Sequence, residues 1–235
     1  RIIFGAGCYL RSIGLAPKQL CDPKPERKEV MIIGESFLWL HFPKCAGTTT
    51  TFVLLKNFVT DSSIEFDETG RGEPLWHDTV AERERRINAS LSGKEVLANI
   101  RRLPAYVVSK IHYSESLNAD IRHAREHLLT GQFMEASGVN NSADNLLRLY
   151  DAETVSHWIR TEYLEDDFVS VFSRYLDMTG KDLSALSTKI NSTDYARDLG
   201  KWYSREDMES LYRKNPLWSE LERKVYGNLL YEEMY

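Results

Sequence analysis

Two rhythms of apolar and polar positions alternate along this chain: short unbroken apolar runs, and longer stretches in which apolar side chains recur every three or four residues. The first run, Phe37-Leu-Trp-Leu-His-Phe42, is apolar and aromatic almost throughout, as a parallel strand covered on both faces should be, and Pro43 then stops the ladder. Beyond it, Phe52, Leu55 and Val59 set the spacing of a helical face. A second run, residues 95–100, ends near Pro104, and a third strand is expected near 154–160. Helices are predicted over 80–91, 105–114, 119–130, 142–150 and 164–178, with two more across 204–230. Strands interleaved with helices imply an α/β fold with a central parallel sheet flanked by helices.

Two segments break the pattern. Residues 61–74 are polar, acidic and glycine-containing, which predicts a loop on the substrate side of the sheet. Residues 1–29 read as an N-terminal extension or the remnant of a neighbouring domain, with the main domain over 30–235. Arg1-Ile-Ile-Phe-Gly-Ala-Gly7 has the look of a strand end with a glycine turn, but Leu10 stands where a dinucleotide fingerprint needs its third glycine. Pro17, Pro23 and Pro25 with the charges around them then suit a linker.

Composition narrows the function classes. At 235 residues and 42% hydrophobic, the chain can bury one large core. A net charge of −5 gives no general basic field, so broad binding of nucleic acid or of an anionic membrane is not indicated and any anion site must be local. Cys8, Cys21 and Cys45 are odd in number and lack zinc spacing, which argues against a disulfide framework or structural metal and favours a reducing compartment. No eighteen-residue apolar stretch or signal-peptide pattern occurs. Localisation stays open between cytoplasm and a trimmed luminal domain. Glycosylation acceptor patterns at Asn88, Asn140 and Asn191 are of a kind that arises often by chance.

Candidate chemistry gathers where the first strand ends. Gly47 permits close backbone approach or a positive φ, and Thr48 to Thr51 supply N-cap hydroxyls and free N–H groups at a helix start. Lys44 sets a compact cation beside them, the arrangement a phosphate or sulfate group needs. Four consecutive threonines are poor helix formers, so packing must supply what propensity does not. No Gly-x-x-x-x-Gly-Lys-Ser/Thr sequence occurs anywhere, which disfavours a nucleoside triphosphatase.

Pro43-Lys44-Cys45-Ala46-Gly47-Thr48-Thr49 resembles the Pro-Lys-Thr-Ala-Gly-Thr-Ser loop with which the sulfotransferase family holds the 5′-phosphosulfate of 3′-phosphoadenosine 5′-phosphosulfate. Cys45 stands where threonine is usual. Residues 95–109 resemble the same family's 3′-phosphate site, a strand followed by Arg-x-Pro and then a helical serine, onto which Arg102 and Ser109 fall. Arg101 competes with Arg102 for the role, and Ser109 comes five residues after Pro104 where six is common. Trp158 to Phe168 looks like the family's next strand and helix, so the resemblance spans residues 36 to 235.

The resemblance implies a P-loop-like three-layer fold. It implies a donor nucleotide held by Lys44, Cys45, Ala46, Gly47, Thr48, Thr49, Arg102 and Ser109, with Lys44 stabilising the leaving phosphate and no metal required. The Lys189-Ile-Asn191 segment is similar to a family segment that closes over the nucleotide, or is a solvated loop charge. An attacking hydroxyl needs a general base. His77 is the candidate, with Asp78 as its orienting group or as a helix N-cap, and Glu65, Asp67 and Glu68 as alternatives. His112, following Ser109, is a candidate to reach the cleft, His41 reads as packed or hydrogen-bonded, and His123 and His127 as surface residues. Trp202, Tyr203, Tyr212 and Trp218 read as core or helix-packing aromatics. A saccharide is the first expectation for the acceptor and a lipid or small natural product the second. The alternatives are a magnesium-dependent nucleotide phosphotransferase and a non-catalytic nucleotide-binding module of the same fold.

Overall fold

Successive residues of the first apolar run divide between two cores, and that division is what makes the run a strand. Phe37 and Trp39 pack with Val53, Leu54, Phe168 and Phe172, whereas Leu38 and Leu40 pack with Ala98, Ile100, Val107 and Leu211. The computed structural model describes residues 30–68, 78–116, 124–134, 140–188 and 195–235. In chain order these form β1 (Val30–Gly34), β2 (Phe37–Leu40), α1 (Gly47–Phe58), β3 (Ile64–Glu68), α2 (Val80–Ile87), β4 (Glu95–Ile100), α3 (Leu103–Ser116) and α4 (Ala124–Thr130). There follow β5 (Gln132–Met134), β6 (Asn140–Ser142), α5 (Ala143–Leu149), β7 (Val155–Arg160), α6 (Leu164–Phe172), α7 (Arg205–Lys214), α8 (Pro216–Tyr226) and α9 (Leu230–Met234).

Five strands make one sheet in the order β3-β1-β2-β4-β7. Its centre is parallel: β2 pairs with β4, and β4 with β7. β1 runs against both its neighbours, so β3 regains the direction of β2. Residues of α3, α5, α7 and α8 fill the core on one face, and residues of α1 and α6 the core on the other. This is the expected three-layer, P-loop-like α/β arrangement. Tyr203, Tyr212 and Trp218 lie in the first core, with Trp202 packed against it.

Several local expectations give way to tertiary context. Residues 64–68, expected within a loop, form edge strand β3, which pairs with β1 from Gly34↔Ile64 to Val30↔Glu68. Ile64 faces inward and Glu65 outward, so the acidic composition belongs to a charged sheet edge. The buried stripe of α1 runs through Thr50, Leu54 and Phe58, while Val59, expected on that face, is 65% exposed. Helix α2 stops at Ile87, because Asn88 turns left-handed at φ 50°. Its N-cap is Thr79, in a reciprocal capping box with Glu82. Asp78 instead pairs with Arg86, Oδ2 to Nε 3.0 Å. Helix α6 ends at Phe172, short of the expected 178, and β5 pairs antiparallel with β6 where no strand is expected.

Candidate functional site

Strands β2 and β4 are neighbours and point the same way, with Leu40 opposite Ala98. The segments leaving them, 41–46 and 101–102, therefore emerge side by side at the carboxyl end of the sheet, where open α/β sheets take their ligands. Because β3 shares that direction, it ends on the same side of the sheet.

The 43–46 turn is tight and anchored from below. Phe42 and Cys45 are fully buried, and the Phe42 ring packs on Tyr150 and edge-on to Trp158, centroids 4.6 and 5.4 Å away. Between and beyond these anchors, Lys44 and Ala46 adopt left-handed φ values of 62° and 63°, costly for residues with a Cβ and sustained only where the surroundings enforce them. Ala46 is the N-cap of α1, and it has no side-chain cap. The threonine hydroxyls thus do not cap the helix as expected. The Thr49 and Thr50 N–H groups donate to the Ala46 carbonyl at 3.1 Å, and helix geometry leaves the Gly47 and Thr48 N–H groups without intrahelical acceptors.

Of the two roles expected of Gly47, close approach is the one used. A Cβ there would lie 2.0 Å from His41 Cδ2 and Nε2. The His41 ring rests in turn on Trp39, centroid separation 5.3 Å. Trp39 Nε1 donates to Asn99 Oδ1 at 2.8 Å, and Asn99 Nδ2 donates to Thr50 Oγ1 at 3.0 Å. This buried relay fixes the first turn of α1 to both central strands. Such networks are rigid when fully satisfied.

Cations collect above the turn. Burial, reinforced by the charges of Arg101, Lys110 and Arg197, pulls the Lys44 ammonium down to about 8. Its Nζ lies 3.9 Å from the centroid of the Tyr113 ring. Arg101 Nη1 donates to the Lys44 carbonyl at 3.1 Å, and the Arg101 carbonyl accepts from Trp218 Nε1 at 3.2 Å. Burial pushes the Cys45 thiol up to about 12, so it remains neutral in the turn. Ser109 is buried on α3, one helical turn before Tyr113.

The two adjacent arginines separate. Arg102 is 4% exposed, and its guanidinium donates to Glu222 at 3.1 Å, to Glu233 at 2.7 Å, and to Asn228 O and Oδ1 at 2.8 and 3.0 Å. It also lies over the Tyr226 ring. Fully buried Glu222 accepts from the Leu103 N–H at 2.8 Å and the Tyr212 hydroxyl at 2.7 Å, and its burial pushes it up to about 7. Arg102 therefore ties the start of α3 to the C-terminal helices, while Arg101 turns onto the lysine loop.

Other expected site residues are dispersed or lie elsewhere. His77, His123 and Lys189 fall outside the described residues, as do the side chains of Asp67 and Glu68. Glu65 is exposed on β3. His112 stacks on Tyr195 with centroids 4.7 Å apart and meets the Trp202 ring edge-on, while His127 Nδ1 lies 2.6 Å from the Gln132 carbonyl. Among the described residues no group of histidine, cysteine and acidic side chains could hold a metal ion, and no helix is long and apolar enough to cross a membrane. Lys110, Tyr113 and Arg197 were not singled out by sequence. Tyr113 follows Ser109 by one helical repeat, a usable signal, but nothing local marks Arg197.

No protein-family model matches the chain, and no curated protein matches it in sequence. Among solved structures, a crystal structure of mouse sulfotransferase SULT7A1 complexed with PAP aligns with a TM-score of 0.44 and 13% identity, over 81% of this chain and 84% of that one.

Proposed function

We propose that this chain is a sulfotransferase that moves a sulfuryl group from 3′-phosphoadenosine 5′-phosphosulfate to an acceptor hydroxyl, with a saccharide as the acceptor. The observation that carries the reading is the meeting of Lys44, the uncapped start of α1 and Arg101 at the ends of two adjacent parallel strands. Amide N–H groups at a helix start, a lysine and an arginine fork together suit a multiply charged phosphate ester.

Each residue has a role in the proposed reaction. The Gly47, Thr48 and Thr49 end of α1, with the backbone of Cys45 and Ala46, receives the 5′-phosphosulfate. Lys44 neutralises charge on the bridging oxygen as the sulfur–oxygen bond to the phosphate breaks and the bond to the acceptor oxygen forms. His77 takes the acceptor's proton. Ser109 with Arg101 holds the 3′-phosphate. Arg101 is preferred to Arg102 here because the Arg102 guanidinium already serves two carboxylates. A sulfuryl group carries less charge than a phosphoryl group, so lysine and amide donors suffice without a divalent cation.

Calorimetric titration with adenosine 3′,5′-bisphosphate and with ADP, each with magnesium and with chelator, tests the reading. Metal-independent preference for the bisphosphate is expected, followed by transfer of label from the donor to a saccharide in an acceptor panel. Magnesium-dependent preference for ADP would move the assignment to phosphotransfer. Nucleotide binding without transfer to any acceptor class would leave a non-catalytic module.

A further inference from the structure

The Lys44 ammonium sits on the face of an aromatic ring that has little to do with the core. Tyr113 is 41% exposed, yet its centroid is 3.9 Å from Lys44 Nζ, well inside the range of a cation–π contact. Three cations, Arg101, Lys110 and Arg197, repel that ammonium, and a lysine stem of four flexible carbons would otherwise carry it away into solvent. An acidic side chain could restrain it too, but would cancel the charge an anionic ligand requires. The negative face of a ring restrains the ammonium and leaves its charge available.

The ring is itself well placed to hold something still. It stands on α3, whose neighbouring residues Val107, Val108 and Ile111 are buried in the core, and whose first turn is clamped through Leu103 and Arg102 to Glu222. The lysine, by contrast, rises from a left-handed position in the turn. The contact ties the flexible lysine stem to the rigid helix.

We propose that Tyr113 is a positioning residue, which holds the Lys44 ammonium between α3 and the start of α1 so that it meets the leaving oxygen of the donor. This rests on the sulfotransferase reading for the role of Lys44, but the contact itself can be tested without it. In nucleotide-free protein, acylation of Lys44 by an amine reagent, followed by mass spectrometry, reads the ammonium's cover. Tyr113→Leu should raise that rate about threefold to tenfold, while Tyr113→Phe and Tyr113→Trp, which keep the face, should leave it near the original value.

In turnover assays Tyr113→Leu should lower kcat by about tenfold to a hundredfold through misplacement of the charge, with the donor KM changed by less than about threefold, and the two aromatic variants should restore kcat. A leucine variant that labels and turns over as the original protein does would overturn the proposal. So would a phenylalanine variant as impaired as leucine, because the hydroxyl and not the face would then matter. If the leucine variant does not fold, the tryptophan variant decides: loss of both Lys44 protection and turnover there, in a folded protein, sinks the idea. Protection of Lys44 that follows the ring, in a protein that transfers no sulfuryl group, keeps the positioning contact and rejects the reaction.

Discussion

The His41 imidazole fills the space that a side chain on Gly47 would need: a Cβ at residue 47 would lie 2.0 Å from both Cδ2 and Nε2 of the ring. The histidine rests on Trp39 and cannot retreat in that direction. Gly47→Ala must therefore displace either the ring or the start of α1, costing about 1–3 kcal/mol of stability and about tenfold or more in bisphosphate affinity. Adding His41→Ala should recover much of both. Urea denaturation and calorimetry of the two single variants and the double variant measure the coupling, and simple additivity would show that the ring is not the obstacle.

Neighbouring arginines should give opposite phenotypes. Above about pH 7, where Glu222 is ionised, Arg102→Ala strands that buried carboxylate without its ion pair, for an expected loss of about 3–5 kcal/mol. Arg101→Ala removes one hydrogen bond to the loop carbonyl, worth about 1 kcal/mol, and should leave a folded protein with weakened bisphosphate binding. Thermal melts and titrations of both variants separate the roles. A stable Arg102→Ala protein that has lost nucleotide affinity would return the phosphate contact to Arg102.

Lys44 makes anion binding depend on pH. Its free-state value is depressed to about 8 by burial and by three neighbouring cations, and a bound phosphate favours the charged form. Below pH 8 the ammonium is already charged and affinity is level. Above it, binding must take up a proton, so bisphosphate affinity should fall by up to about tenfold per pH unit. Calorimetry at pH 7, 8 and 9 reads the slope, and Lys44→Arg, charged throughout, should flatten it.

Glu222 should leave its mark on stability. Burial raises its folded value to about 7 from an ordinary glutamate value, so between those values the folded state holds a proton that the unfolded state has released. Its contribution to stability is complete below the unfolded value, falls as pH rises through the window, and levels off above about pH 7. The stability difference between the original protein and Glu222→Gln should decline across that window when measured by urea denaturation at pH 4.5, 6, 7 and 8. A flat difference would mean that Arg102 holds the carboxylate ionised throughout.

What could be read in the sequence followed from local signals. The span of β4 came directly from an apolar run, and β2 from another bounded by a proline; the turn between β2 and α1 came from Lys44 and Gly47 in fixed order. What escaped was set by distant partners. Edge strand β3 reads as a loop because its acidic composition, with Glu65 outward, hides an inward Ile64, and only pairing with β1 reveals it. Arg101 and Arg102 are indistinguishable until α8 supplies Glu222 to one of them. The threonines after Gly47 look like caps, but Thr50 is claimed by Asn99, a residue on another strand.

Contacts of that reach bear on when the site comes into being. The lysine loop is synthesised early, yet the Arg101 carbonyl waits for the Trp218 indole, and the first amide of α3 waits for Glu222, partners 117 and 119 positions further along. Closing such long intervals is slow compared with pairing neighbouring strands. Emerging from the ribosome, the chain can align β1, β2 and β4 while the junction that carries Arg101 still lacks its clamp. A nascent chain halted before Trp218 would hold the whole lysine loop, anchored through Phe42 and Cys45, while the Arg101 beside it still lacked its indole partner.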